Sequence, residues 1–371
     1  MRPLDVKIVT CHDVNNFGAS LQVYALQTYL EQTGHHVQVV DYKPYYQQVV
    51  NHHPLQFKSG KGWLRGVASM LYNLPSALSH EQRNRLFKQF TENHLHLTDR
   101  FHDIQQLIAA NLKADVFIAG SDQIWNSMYL TGRDSVFYLD FVSSNARKVA
   151  YAPSLLVDKN DKRLEYLYRQ KLAKFDYLSV REKCSLPFVQ QMGREDCEVV
   201  CDPVLLLSST QWDTLFPIQS FVKEPYLLVY DFDNSKQITE ISREIARRES
   251  LKIINVSIDT LKNLGKRMKN IGPIEFLSLI RGASFVVSSS YHATLLSLLF
   301  HKRFCVVRRQ LDINFRMEDL LGNYGLHDRF VSNYTPALLK DDDYSHIDKK
   351  MQSLVSLSKD YLSRALDIQL S

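Results

Sequence analysis

Short apolar segments alternate with amphipathic segments along most of this 371-residue chain, and the alternation runs through the sequence twice. An apolar, β-type run at residues 6–11 leads through a polar loop into 19–33, whose apolar side chains have helical spacing. Gly34 stops this helix, and 37–41 is the next strand pattern. This βαβ start predicts a parallel sheet covered by helices.

The same alternation continues to the end of the sequence. In the first half it predicts strands at 115–119, 137–141, 148–152 and 177–180, and a helix at 161–174. In the second half it predicts strands at 198–201, 226–230, 252–256, 284–288 and 304–307, and helices at 235–248, 273–281, 293–300 and 348–366.

We therefore predict an α/β protein with two Rossmann-like, doubly wound parallel-sheet domains. The first spans residues 1–190, the second spans 195–345, and a C-terminal helix occupies 346–371. Residues 45–100 interrupt the first domain with aromatic, His-rich polar sequence. Because two helix patterns lie there, at 62–74 and 79–94, we expect a helical insertion.

Composition excludes several classes of protein. With 45% hydrophobic and 23% charged residues the chain is not intrinsically disordered, and no apolar run is long enough for a transmembrane helix. The net charge of +5 is too diffuse to predict nucleic-acid binding. It suits an enzyme for anionic small molecules, or one near an anionic membrane surface. Five scattered cysteines and the absence of a signal-peptide pattern predict a cytoplasmic protein with reduced thiols.

Ligands of parallel sheets bind at the carboxyl ends of strands, so the loops after the strands are the candidate sites. The first such loop carries Asn16, Gly18, Ser20 and Gln22 into a helix N-terminus, where free backbone N–H groups can bind an anion. The alternative is an ordinary turn with a helix cap.

The second loop is dense in hydrogen-bonding groups around one aromatic ring. It contains Gly120, Ser121, Asp122 and Trp125, a composition that suits a carbohydrate platform. In the alternative interpretation the loop is a structured turn with the indole of Trp125 in the core.

Two further loops carry a cation at the end of a predicted strand. The planar guanidinium of Arg181 can bind a carboxylate or phosphate of a ligand with two hydrogen bonds. In the alternative interpretation it forms a salt bridge to Glu182. Ser290 and His292 follow another strand and open a helix, a position that attracts anions, although His292 could serve only as a cap. The sequence has no G-x-G-x-x-G or G-x-x-x-x-G-K-[ST] motif, so neither common nucleotide site is indicated.

At these residues the chain resembles the polysaccharide pyruvyl transferase family, from about residue 7 to residue 330. The matching segments are 16–18, 21–22, 115–126, 151–154, 179–182, 202–204 and 290–294, followed by Arg316 before 320–321. The resemblance implies a glycosyltransferase-like, GT-B-type arrangement of two Rossmann-like domains that face each other across a cleft. It also implies transfer of pyruvate from phosphoenolpyruvate to a sugar, which forms a cyclic ketal.

The resemblance also assigns roles to residues. His292 matches the family's acid, and Arg181 matches an arginine that holds the donor. Members carry an arginine where this chain has Ser290, so Arg316 is expected to supply that charge, with Arg308 and Arg309 as weaker candidates. Ala293 also departs from a frequent glycine.

The donor is expected near His292, with the acceptor over Asn16, Ser20, Asp122 and Trp125. Trp125 would contact the sugar ring, and Asp122 would orient or deprotonate the attacking hydroxyl. The chemistry requires no metal or organic cofactor.

The expected partners are phosphoenolpyruvate and a sugar or lipid-linked oligosaccharide. The expected place is the cytoplasm, with peripheral contact at the inner membrane face as a variant. Two rival functions stay open: a nucleotide-sugar glycosyltransferase of the same shape, and a non-catalytic glycan-binding protein.

Overall fold

The structure is a computed structural model that describes residues 2–46, 81–143, 145–156, 162–257, 260–261, 263–309 and 314–367. The helix predicted at 62–74 and the start of the helix predicted at 79–94 lie outside the described residues.

The described strands and helices are numbered here in chain order. The strands are β1 (Asp5–Val9), β2 (His36–Tyr42), β3 (Leu97–Phe101), β4 (Val116–Ala119), β5 (Asp122–Asn126), β6 (Arg147–Ala150), β7 (Pro153–Leu156), β8 (Tyr177–Val180), β9 (Glu198–Val199), β10 (Tyr226–Tyr230), β11 (Lys252–Asn255), β12 (Lys266–Arg267), β13 (Phe285–Ser288), β14 (Arg303–Val307) and β15 (Phe330–Val331). The helices are α1 (Phe17–Gln32), α2 (81–94), α3 (Ile104–Ala110), α4 (Lys162–Leu172), α5 (Leu186–Gln191), α6 (Ser209–Leu215), α7 (Lys236–Arg248), α8 (Pro273–Gly282), α9 (Tyr291–Leu299), α10 (Phe315–Tyr324) and α11 (Tyr344–Leu366).

Two parallel sheets organise the chain, as the alternating pattern predicts. The first has the order β3-β2-β1-β4-β6-β8-β9, and the second has the order β12-β11-β10-β13-β14-β15. In the first sheet Ile8 pairs with Val39 on one side and Ile118 on the other. These apolar central strands are buried because helices cover both faces of a parallel sheet. The predicted α/β class with two parallel sheets is therefore confirmed.

Local predictions failed at four places. Residues 137–141 are not a strand, because Ser135–Tyr138 forms a short 3₁₀ helix. The loop predicted after β4 contains β5, which pairs with β7 in a two-stranded sheet. Within the predicted insertion, β3 adds a parallel strand to the first sheet. β9, expected to open the second series, pairs with β8 of the first sheet instead. The domain bounds at 190 and 195 stay a prediction.

The last helix, α11, connects the two halves of the molecule. The first half is the part built on the first sheet, and the second half is the part built on the second sheet. It follows the second sheet in the chain but packs against the first, where the hydroxyl of Tyr361 donates to the carbonyl of Ala150 at 2.8 Å. Ser358 accepts from the backbone N–H of Cys201, also at 2.8 Å. A single hydrophobic cluster runs through both halves, and within it the ring of Phe17 stacks on that of Phe276 with centroids 4.2 Å apart.

None of the helices in the described part of the chain combines the length and the apolarity that crossing a bilayer requires.

Candidate active site

A cavity of about 210 Å³ lies between the two halves. The first half contributes residues after β1 and β4, and the second half contributes residues after β10, β13 and β14 together with part of α10. The lining consists of Asn16, Asp122, Gln123, Tyr129, Phe232, Ser289, Ser290, Tyr291, His292, Val306, Val307, Arg309, Asn314, Arg316, Met317 and Phe330. The cavity therefore lies where carboxyl ends of parallel strands are expected to hold a ligand.

His292 lies in the first turn of α9, directly after β13. Ser290 caps this helix, because its side chain accepts from the backbone N–H of Ala293 at 3.4 Å. His292 is buried, and its Nε2 lies 3.2 Å from a carboxylate oxygen of Asp202. A histidine of the second half is thus held by an acid that follows the last strand of the first sheet.

Gly18 explains how His292 can approach the first half so closely. Asn16 caps α1 by accepting from the backbone N–H of Gly18 at 2.9 Å. A Cβ atom at position 18 would collide with the imidazole of His292. Gly18 therefore acts through close packing and does not line the cavity. The N-terminal ends of α1 and α9 consequently meet at His292.

Arg181 lies in a buried network of charges next to His292. Its guanidinium contacts Asp202 at 2.7 Å and Glu182 at 3.1 Å, and it lies over the ring of Tyr291 at 4.2 Å. Burial would lower the pKa of Arg181, but Glu182, Tyr291 and Asp202 raise it above its usual value.

The same network fixes the charge of Asp202. Burial alone would raise the pKa of its carboxyl, but His292 and Arg181 hold it well below the usual range. Arg181 does not line the cavity, so its expected contact with the donor stays a prediction, whereas its contact with Asp202 is direct.

Arg316 is the contrasting arginine. It is 8% exposed and lines the cavity, yet its Nε has no hydrogen-bond partner among the described residues. Burial lowers the pKa of its guanidinium, and the nearby Arg181 lowers it further. A buried guanidinium without full compensation is costly, and an anionic ligand would relieve that cost.

The other two arginines considered for the missing charge are already paired. Arg309 lines the cavity but makes two hydrogen bonds, at 2.7 and 2.6 Å, to the carboxylate of Asp233. Arg308 pairs with Glu318 at 2.6 Å. Of the three arginines, Arg316 therefore has the most hydrogen-bonding capacity left for a ligand.

The expectation that Trp125 contacts a sugar ring is wrong. Its side chain is 0% exposed, its indole N–H donates to the carbonyl of Phe137 at 3.0 Å, and it stacks on Tyr138. The structure therefore agrees with the alternative in which Trp125 braces the loop from the core.

Four other predicted binding residues do not line the cavity, namely Ser20, Gln22, Gly120 and Ser121, so their contact with substrate stays a prediction, as it does for Arg181. Gln22 is fully buried, and its side chain donates to Thr10 at 3.2 Å and accepts from the backbone of Ser121 at 3.3 Å. The hydroxyl of Ser121 donates to the carbonyl of Ala152 at 2.6 Å. These polar groups are consumed in joining α1 to the turn after β4.

Gly120 has a structural role, whereas no role is apparent for Ser20. Gly120 has a φ of +126°, and a Cβ there would collide with the carbonyl of Tyr151, so only glycine fits. Ser20 is buried in α1, and its hydroxyl has no partner among the described residues. Of the predicted binding residues, Asn16, Asp122, Ser290, His292 and Arg316 are the ones brought together at the cavity.

Several residues at the site were not predicted, and Asp202, Tyr129 and Phe232 are the ones with a chemical role to explain. Asp202 belongs to a motif segment that follows a strand, but nothing in the sequence places it beside His292, 90 positions away. Tyr129 and Phe232 line the cavity as exposed aromatics, and composition alone does not separate them from buried ones. Within the described ranges no group of three His, Cys, Asp or Glu side chains is arranged to hold a metal ion.

Two domains that face each other across a cleft define the GT-B fold, and solved structures with this fold match the chain. A UDP-N-acetylglucosamine 2-epimerase matches with a TM-score of 0.53 and 12% identity, over 100% of this chain and 99% of that one. A candidate UDP-N-acetylglucosamine 2-epimerase from Listeria monocytogenes matches with a TM-score of 0.51 and 11% identity, over 99% and 91% of the two chains. At such identities the likeness shows the fold alone, and it confirms the predicted GT-B-like class.

The sequence profile of the polysaccharide pyruvyl transferase family matches residues 16–310. The chain therefore belongs to this family, as the motif resemblance predicts. No curated protein matches the sequence significantly.

Proposed function

We propose that this protein transfers a pyruvyl group from phosphoenolpyruvate to two hydroxyls of a sugar in a polysaccharide or its precursor, forming a cyclic ketal. The observation that carries the proposal is Arg316, a buried guanidinium with an unpartnered Nε in a cavity that His292 and Asp122 also line. Family membership supports a transferase in polysaccharide biosynthesis, and the residues below supply the chemistry.

The donor carries a carboxylate and a phosphate, so it needs more than one positive group. Arg316 offers one guanidinium. The first turn of α9 offers backbone N–H groups and the positive end of a helix dipole beside Ser290. This pairing explains how an anionic donor can bind although position 290 lacks the arginine common in the family.

His292 is the proposed acid. Its imidazolium donates a proton to the terminal carbon of the enol phosphate while a sugar hydroxyl attacks the adjacent carbon. The hydroxyl proton passes to a base. A second hydroxyl then attacks the same carbon, the C–O bond to phosphate breaks, and the proton of this hydroxyl leaves with the inorganic phosphate as the ring of the ketal closes. Asp202, with a carboxylate oxygen 3.2 Å from Nε2, holds the imidazole of His292 in position.

The acceptor is proposed to enter from the first half, where Asn16 and Asp122 line the cavity. The capping bonds of Asn16 use its carbonyl oxygen, which leaves the amide N–H₂ group for a sugar hydroxyl. Asp122 at the start of β5 is the residue proposed to orient or deprotonate the attacking hydroxyl. The proposed setting is the cytoplasm, with peripheral contact at the membrane when the sugar is lipid-linked.

The test is incubation with phosphoenolpyruvate and a panel of nitrophenyl-tagged and lipid-linked sugars. Mass spectrometry should find an acceptor heavier by one pyruvate less water, together with an equal amount of free phosphate. Release of nucleotide from a nucleotide-sugar, without any ketal, would instead identify a glycosyltransferase. Binding without turnover across the panel would favour a glycan-binding protein.

A further inference from the structure

Two aromatic side chains enter the cavity from opposite halves of the molecule. Tyr129 lies shortly after β5 and is 49% exposed. Phe232 lies shortly after β10 and is 38% exposed. Exposed aromatic rings in a cavity that also carries carboxylate, amide and guanidinium groups are typical of ligand sites, in which rings give contact area and polar groups give orientation.

The ring of Phe232 lies beside a cation that also lines the cavity. The guanidinium of Arg309 lies 5.3 Å from the centroid of the Phe232 ring. Tyr129 lines the same cavity as Arg309, although the two residues belong to different halves. Phe232 lines it as well, so both rings border one cavity of about 210 Å³.

Phe232 is held in place by contacts within the second half. Phe232 packs against Tyr230, at 4.8 Å between centroids, and its backbone N–H donates to Ser289 at 3.4 Å. These contacts fix the ring while over a third of the residue stays exposed. A pyranose has apolar C–H faces and polar edges, so it matches aromatic rings combined with nearby Asn16 and Asp122.

We propose that Tyr129 and Phe232 form an aromatic clamp that holds the pyranose ring of the acceptor, the task that Trp125 cannot perform from the core. The inference rests on the proposed function in that the bound sugar is called the acceptor. The clamp spans both halves, so a sugar within it lies next to Asp122 and on the same cavity as His292 and Arg316.

The test measures sugar binding separately from catalysis. Saturation-transfer NMR would record binding of methyl β-glucoside, methyl β-galactoside, methyl α-mannoside and methyl N-acetyl-β-glucosaminide to the full chain. Tyr129→Ala and Phe232→Ala should each raise the dissociation constant of the bound glycoside by about three- to tenfold, and Tyr129→Phe should retain wild-type binding.

The chain supplies matched controls for this experiment. Met128 and Leu130 flank Tyr129 and are 67% and 62% exposed, but neither lines the cavity. Met128→Ala and Leu130→Ala should therefore leave glycoside binding unchanged. Circular dichroism and the melting temperature of each variant would show that the fold is retained.

The outcomes separate this inference from the proposed function. Unchanged glycoside binding in folded Tyr129→Ala and Phe232→Ala, or no binding of any of the four glycosides to the wild type, overturns the clamp. Ketal formation that persists with an unchanged acceptor KM in both variants overturns it as well, while the proposed function stands. Glycoside binding that depends on both rings, without phosphate release from phosphoenolpyruvate, supports the clamp and contradicts pyruvyl transfer.

Discussion

The loop after β4 in the first half and the loop after β13 in the second half both carry dense polar motifs, but they use them differently. In the first, Ser121 and Trp125 are buried and have hydrogen-bond partners within the protein, and Gln22 of α1 is one of these partners. In the second, His292 lines the cavity with Ser290, and Arg316 from α10 lies there with an unpartnered Nε. A polar motif at a strand end can therefore shape a loop or meet a ligand, and unused hydrogen-bonding capacity distinguishes the two.

The sharpest test of the comparison is His292→Ala. If the second-half residues carry the chemistry, kcat should fall by roughly 10²–10⁴-fold, because a positioned acid contributes that much. Steady-state phosphate release measures the effect, and the melting temperature shows whether the two halves remain docked. A folded variant with near wild-type kcat would remove His292 from the mechanism.

Arg181 tests whether a buried arginine without access to the cavity is structural. Arg181→Met leaves Asp202 and Glu182 without their guanidinium partner, so the free energy of unfolding should fall by about 3–5 kcal/mol. Urea unfolding followed by circular dichroism measures it. Unchanged stability with a strongly raised donor KM would show that Arg181 binds the donor after all.

A substitution of Trp125 tests whether the loop after β4 in the first half is structural. Trp125→Ala should lower the free energy of unfolding by about 3–5 kcal/mol, because it removes a fully buried indole. Kinetic constants per folded molecule should be unchanged, and Trp125→Phe provides a milder variant if the alanine form does not fold. A raised acceptor KM in a stable Trp125→Phe protein would contradict this interpretation.

Arg316 should show the opposite behaviour to Arg181. Arg316→Met should raise the donor KM by about ten- to a hundredfold, because that factor corresponds to the free energy of one hydrogen bond to a charged group. Without ligand its stability should match or exceed that of the wild type, because a poorly compensated buried charge is removed. Phosphoenolpyruvate titration and thermal unfolding measure the two effects. A large loss of stability without a change in donor KM would make Arg316 a structural residue.

The sequence predicts the sheets well because their signals are local. The apolar runs at β1, β4, β10 and β13 are strands in both the prediction and the structure. The apolar run 137–141 was wrongly predicted as a strand, because short apolar segments of strands and of turns have similar sequence patterns. It belongs to the segment that packs around Trp125. β5 was missed because its pairing with β7 depends on a partner about 30 residues further along the chain.

The site is predictable to the extent that strand ends define it. Asn16, Asp122 and His292 follow strands and do converge at one cavity. Whether a side chain there faces inward or outward depends on tertiary packing, so Trp125 and Tyr129, four positions apart, could not be distinguished in advance. Asp202 was hidden for the same reason, since its partner comes from the other half.

The path of α11 has a consequence for how the chain is made. The first sheet begins at residue 5, yet Tyr361 and Ser358 supply hydrogen bonds to Ala150 and Cys201 beside it. These contacts can form only once the chain has left the ribosome as far as residue 361. During synthesis part of the apolar surface of the first half therefore stays exposed to solvent until α11 has been made. Fragments that end before residue 344 should consequently depend on chaperones and aggregate when overproduced.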